Sequence, residues 1–357
     1  MTPDDLDTPA LLVDLDVFAE NAGRIAAVCR AHGVRWRPHV KAVKAPTLAA
    51  RLLAAGASGL TCATLGEAET MAAAGLGPLL IANQVVGAAK IDRLVALRRR
   101  ADVTVAVDST AVVEGLAAAA TAAGVVLPVV VEVDVGLRRA GVAPGPPVVV
   151  LAGVIARSPG LRLAGVMAWE GHTTAIADPA AKAAAVAAAV GALTASAREC
   201  RRAGFAIDVV SCGGTGTYPL SAAQPGVTEI QAGGGVFGDR RYRARFGVDH
   251  PYALTVLSTV LSRPTPTRIV TDAGRKAMSA DADEPYPMGV GPVRSLVLSA
   301  EHATVELVAP AQTPAVGDRL RFVPGYCDTT VHLHDQLYGV RAGRVEEVFA
   351  LPERRRP

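Results

Sequence analysis

The sequence predicts an α/β protein, a (β/α)8 TIM-like barrel followed by an all-β C-terminal domain. Three observations carry that prediction. At 357 residues the chain is long for one domain and comfortable for two. Half its residues are hydrophobic yet only 4% are aromatic, so Ala and Val build the core, as in layered α/β packing. Short β-branched runs alternate with Ala/Leu-rich stretches as far as about residue 250, and there the helical stretches stop.

In order, the strand candidates are "ALLVDL" at 10, "VRWRPHV" at 34, "SGLTCAT" at 58, "PLLIANQ" at 78 and "DVTVAVD" at 102. They continue with "LPVVVEVDV" at 127, "RLAGVMAWE" at 162, "DVVSCGG" at 208 and "TEIQAG" at 228. Between most of them lies room for a helix; "DVFAENAGRIAAVCRAHG" has apolar residues at i, i+3 and i+4 and a Gly stop. About eight such units make a barrel. A doubly wound open sheet is the competitor, and no G-x-G-x-x-G follows the first strand. Beyond 250, "YALTVLSTVLSR", "TRIVTDAG", "RSLVLSAEHATVELV", "DRLRFVPG" and "QLYGVRAGRVEEVFAL" read as strands joined by Pro/Gly turns with no helix between them. The domains are set at 8–248 for the barrel and 249–357, with residues 1–7, for the β-rich part.

The net charge of +3 is small and scattered, with one terminal cluster, "ERRRP", which reads as a frayed tail. Nucleic acid is not an expected partner. Five cysteines without a CxxC give neither a disulfide framework nor a structural zinc site. The start "MTPDDLDTPA" has no apolar h-region, and "PAAKAAAVAAAVGALTASA" reads as a soluble amphipathic helix rather than a membrane span. The expected location is cytoplasmic.

Barrel enzymes place their chemistry at the C-terminal ends of the strands. "WRPHVKAVKAP" puts Lys41 and Lys44 at one such end, either as solvated charges or with one as a reactive amine. "GGTGTY" (213–218) and "AGGGV" (232–236) offer two Gly-rich loops after late strands, where backbone N–H groups can converge on a phosphate. Phosphate plus a strand-end lysine suggests pyridoxal phosphate, with the lysine's pKa lowered by desolvation beside Arg37 and His39. Arg139 suits the phenolic oxygen of that ring, or is a surface charge like Arg138 beside it.

The motifs "TPALLVDLD", "RPHVKAVK", "VDVGLRRAGV", "EGH", "CGGTGTY", "TEIQAG", "DAGRKAMS" and "SAEHA" together resemble the D-threonine aldolase/D-serine dehydratase family. These are fold-type III pyridoxal-phosphate enzymes with the alanine-racemase type of barrel and β-domain. The resemblance runs in order from about residue 8 to 345. It implies that Lys41 carries the cofactor, that Arg139 faces it, that Gly214 and Thr215 bind phosphate, and that Gly233 and Gly234 complete the cradle. Lys44 is either supporting or a plain surface lysine. His172 resembles the base that acts on the substrate hydroxyl. Glu170 would share its face, or pair with an arginine. Related enzymes form homodimers with shared active sites, in which Tyr326 and Asp328 would serve the partner's Lys41.

The chain departs from the family at three places. The metal-binding stretch reads "PGYCDTTVHLHD", so Tyr326 stands where the family has a metal histidine, and Asp328 keeps the second ligand position. On a strand His332 would lie roughly 13 Å beyond Asp328, too far to substitute. A divalent metal is therefore expected to be absent or weakly held. The family's K-T-H-K is "KAVK" and its A-G-S-Y is "AGGG". The resemblance implies a lyase cleaving Cα–Cβ of a β-hydroxy-D-amino acid. A metal-independent amino-acid racemase or epimerase using Lys41 and Tyr326 is the first alternative. A pyridoxal-phosphate-binding protein without turnover is the second.

Overall fold

The run "VVVEV" is apolar at every position but Glu132, not at alternate ones, and the computed structural model, which describes residues 1–352, shows why. Its strand lies in a parallel sheet covered on both faces, so both sides of the pleat are buried and apolar residues predominate on each. The described residues divide into two compact units, residues 23–233 and residues 1–22 with 234–352. The sequence places its domain boundary at 248/249.

The first strand, β1 (Ala10–Asp14), is followed by helix α1 (Leu15–Ala31), within which the units divide. The barrel strands are β2 (Arg35–Trp36), β3 (Leu60–Cys62), β4 (Leu79–Gln84), β5 (Val103–Val107), β6 (Leu127–Val133), β7 (Leu161–Ala168), β8 (Val209–Cys212) and β9 (Glu229–Ile230). Helices α2 (Pro46–Ala54), α3 (Leu65–Ala73), α4 (Ala88–Arg98), α5 (Thr110–Ala122), α6 (Pro146–Ala156), α7 (Pro179–Arg202) and α8 (Tyr218–Ala222) follow β2 to β8 in turn. The strands run parallel in the order β2-β9-β8-β7-β6-β5-β4-β3. The two ends of that sheet meet through a bridge between His39 and Thr61, with Val40 N–H donating to the Thr61 carbonyl at 2.8 Å. Leu80, Ala106, Val130, Ala164 and Met167 form one core cluster of this unit. Helix α7 is long and apolar enough to cross a membrane by length and composition. Its buried residues Val186, Ala189, Val190, Leu193, Ala197 and Cys200 recur every three or four positions, the stripe of a helix packed on one face.

Eight of the nine strands expected before residue 250 are barrel strands. The exception is β1, which pairs antiparallel with β10 (Leu254–Thr265) and parallel with residues 336–341 of the second unit. A run of four apolar residues does not say which sheet will take it. The second unit is mostly antiparallel, with strands 293–298, 303–307, 268–271, β10, β1, 336–341 and 344–350 in spatial order. Leu6, Ala10, Leu12, Leu257 and Val340 pack into one cluster of its core.

The second unit is not free of helix. After α9 (Arg240–Phe246), residues 327–331 form α10 (Cys327–Val331), where the sequence had implied strand geometry. The β-branched "TTV" favours extended backbone. What overrides it is Asp239, whose Oδ2 accepts the Cys327 N–H at 2.9 Å, with Asp328 in the first turn favouring the helix dipole. The terminal "ERRRP" lies outside the described residues.

Candidate active site

At the C-terminal end of β2 the chain leaves the barrel in a tight turn. Val40, Ala42 and Val43 in that turn are fully buried, while Lys41 between them is half-exposed. Lys44 is not a surface lysine: it is buried, 3.0 Å from the Glu67 carboxylate. Arg37 does not serve the lysines either. Its Nε donates to Glu229 Oε2 at 2.9 Å and its Nη1 to the Pro78 carbonyl, so its charge is spent inside the barrel.

The loop after β6 carries Arg139. Its guanidinium is 60% exposed and lies 3.8 Å from Glu132, a buried carboxylate on β6. Burial pushes the Glu132 carboxyl up, while Gln84 Nε2 donates to it at 2.5 Å. Asp134 organises the loop by accepting the N–H groups of Gly136 and Arg138, and those bonds hold its own carboxyl low. Gly136 has φ +125°, and a Cβ there would stand 2.9 Å from His172 Nε2. Only glycine allows both that backbone and that approach. His172 sits exposed in a 3-10 turn after β7, so it and Glu170 do not alternate along a strand.

Glu170 is fully buried and pairs with no arginine among the described residues. It accepts Thr217 Oγ1 and Ser221 Oγ, each at 2.6 Å, and the Gly213 N–H at 3.3 Å. One carboxylate thus shapes the whole "GGTGTY" turn from beneath. Trp169 supports it from the side, since a Cβ on Gly214 would fall 2.3 Å from its ring. Thr215 is buried in the turn, and the buried Gly216 N–H has no acceptor among the described residues. A buried donor without a partner is costly, and an anion in the turn would satisfy it. The loop fits the phosphate of the cofactor. Gly233 lies flat on the backbone of His39, where a Cβ would be 2.1 Å from the carbonyl oxygen.

In the second unit, Gly234 faces the Tyr242 phenol; a Cβ would approach its Oη to 2.2 Å, so the family's serine cannot stand here unless Tyr242 moves. Tyr326 stands at the residue before α10, and its phenol donates to Asp328 Oδ2 at 2.7 Å. Burial first and the Asp328 charge second push the Tyr326 phenol well above its ordinary value. Arg241 lies over the Tyr326 ring and Tyr242 meets it edge-on. Asp239, buried, caps α9 through the Tyr242 N–H and holds Cys327; burial raises its carboxyl to about 7. Because 327–331 is helical, His332, the residue after it, is one turn from Asp328 and the 13 Å strand separation does not apply. Among the described residues no three His, Cys, Asp or Glu side chains converge as a metal site. His334 bonds the Ala277 carbonyl at 2.8 Å, a structural role.

Residues 13–241 match the alanine racemase N-terminal domain and residues 253–340 the serine dehydratase domain. The chain is 37% identical to a D-threonine aldolase of Arthrobacter sp over 98% of its own length and 93% of the relative's. It belongs to the D-threonine aldolase family. Within that family it is also similar to a 3-hydroxy-D-aspartate aldolase of Paracoccus denitrificans, 35% identical over 99% of this chain and 94% of the relative. The crystal structure of a D-threonine aldolase from Filomicrobium marinum superposes with a TM-score of 0.95 at 35% identity, covering 99% and 97% of the two chains. An alanine racemase of Clostridium difficile 630, at 12% identity and a TM-score of 0.76, shares the fold. The chain is thus an enzyme of a pyridoxal-phosphate-dependent, fold-type III family, with a barrel and a β-rich domain as the sequence predicted.

Sequence reasoning missed Glu67, Trp169, Glu132 and Asp239 as site-shaping residues. Glu67 alone left a signal: "TLGE" has the sequence pattern of a helix start, Thr64 with Glu67 three residues on, although the Glu67 carboxylate goes to Ala63 and Lys44.

Proposed function

We propose that this enzyme cleaves the Cα–Cβ bond of a β-hydroxy-D-amino acid by a retro-aldol reaction. The observation that carries the reading is 37% identity to a D-threonine aldolase across 98% of the chain. Lys41 holds the cofactor, the 213–217 turn binds its phosphate, Gly233 and Gly234 complete the cradle, and Arg139 fixes its phenolic oxygen. When bound, pyridoxal phosphate supplies an electron sink for the pair left on Cα. His172 takes the β-hydroxyl proton; as Cα–Cβ breaks, that oxygen becomes an aldehyde carbonyl, a proton from solvent replaces the lost carbon on Cα, and the amino acid leaves as glycine. With D-threonine the products are glycine and acetaldehyde.

Tyr326 in place of the metal histidine supports a second reading, racemisation or epimerisation with Lys41 and Tyr326 on opposite faces. The Tyr326 proton is committed to Asp328 and its phenol is made less acidic, which suits a donor better than a base. We keep the lyase. Proton NMR in D₂O with D-threonine and a panel of D- and L-amino acids decides between them. Glycine with acetaldehyde is expected; loss of Cα–H without cleavage overturns the lyase reading. The same reading takes the protein as a cytoplasmic homodimer with a small amino-acid substrate, and light scattering tests the dimer.

A further inference from the structure

We infer that the buried Lys44–Glu67 pair is a strut that positions Lys41, an inference that rests on Lys41 being the cofactor lysine. Lys44 has φ +53°, one of three non-glycine residues with positive φ among those described. A side chain with a Cβ holds that conformation only where its surroundings enforce it, and such sites cluster at functional loops. Here the enforcement is visible. The Lys44 N–H donates back to the Val40 carbonyl at 2.8 Å, closing the turn that contains Lys41. Its Nζ donates to Glu67 Oε1 at 3.0 Å, with side chains only 10% and 2% exposed. Glu67 is itself held: its Oε2 accepts the Ala63 N–H at 2.6 Å, and its N–H donates to Thr64 Oγ1 at the start of α3. Rigid helix, carboxylate, ammonium and turn are thus joined in series.

Every residue from 40 to 45 is buried except Lys41. The turn therefore presents one amine outward and anchors the other. A buried ion pair is a weak source of stability, since desolvation offsets most of its attraction; fixing a conformation is its better-attested use. An ammonium committed to a carboxylate also cannot compete as a second nucleophile. Lys44 is a positioning residue, not a catalytic one.

The test is the double variant Lys44→Asn/Glu67→Gln, which removes both charges together and places at position 44 a residue tolerant of positive φ. Its readouts are the dissociation constant for pyridoxal phosphate, peptide mapping after borohydride fixation, and the melting temperature of the cofactor-free protein. We expect a melting point within a few degrees of the parent's, cofactor binding weakened by roughly 10- to 100-fold, and less label fixed on Lys41. Parental affinity and labelling in the variant overturn the strut. Glu67→Gln alone is the second variant, in case the double one does not fold. It keeps the acceptor oxygen but loses the charge, and parental affinity there likewise overturns the inference. The lysine assignment fails separately: label in the parent on any residue but Lys41 overturns that assignment, and the strut with it.

Discussion

Two buried carboxylates, one in each unit, do similar architectural work in different company. Glu170 gathers the two hydroxyls and the backbone N–H of the glycine-rich turn. Asp239 gathers the backbone N–H groups that start α9 and α10. The donors around Glu170 leave an anion-ready loop above it. Around Asp239 stand Asp328, Cys327, Tyr326 and Tyr242, and its carboxyl is raised to about 7, chiefly by burial. The first region keeps the family's motif and the second has rewritten it. A buried carboxylate that meets only donors can build an anion-ready turn, whereas one set among other acids and phenols has its own charge suppressed.

The comparison breaks most visibly at the residue assigned the proton. Replacing His172 by Asn should lower kcat for D-threonine cleavage by about 10²- to 10⁴-fold. Cofactor affinity, measured by titration, should stay at the parent's value. A loss confined to cofactor binding would move His172 into the architecture. Next in size is Glu170→Ala, which strands three donors, each costing about 1–3 kcal/mol if left buried. A lowered melting temperature together with weaker phosphate binding is expected, and Glu170→Gln should recover part of both.

The second region can be sharpened by restoring what it lost. In Tyr326→His an imidazole again stands two residues from Asp328, and added manganese or zinc should raise lyase activity several-fold. The parent's turnover should hold within about twofold in chelator, because the tyrosine provides no borderline-soft ligand. Strong inhibition by EDTA would show that this segment still binds a metal. The smallest effect is at Glu132. Its folded carboxyl is raised by burial, so its contribution favours the folded state below the ordinary value of 4.5 and is lost as pH rises through the raised value. Glu132→Gln should therefore melt higher than the parent at neutral pH, with the gain fading toward pH 4; melts across that range check the sign.

Much of this was written in the chain at short range. The barrel strands announced themselves as β-branched runs bounded by turn residues, and the glycine loops and "RPHVK" stood at strand ends where barrels keep their chemistry. What escaped was whatever depends on a distant partner. "CDTTV" is helical because of a carboxylate 88 residues earlier in the chain. Lys44 is buried because Glu67 waits 23 residues on. Arg37 and Glu170 found partners other than those their neighbours in sequence suggested. Local propensity sees none of these, since the deciding contact is made by folding itself.

The placement of β1 has a consequence for how the chain can be divided. That strand lies between β10 and residues 336–341, in the middle of the second sheet. A fragment begun at residue 249 would lack it and expose two unpaired inner edges rich in Val and Leu. Such edges recruit other strands, so the isolated fragment should self-associate into aggregates. Strand β1 thus completes, from the first fourteen residues, a sheet whose other members begin only at Leu254.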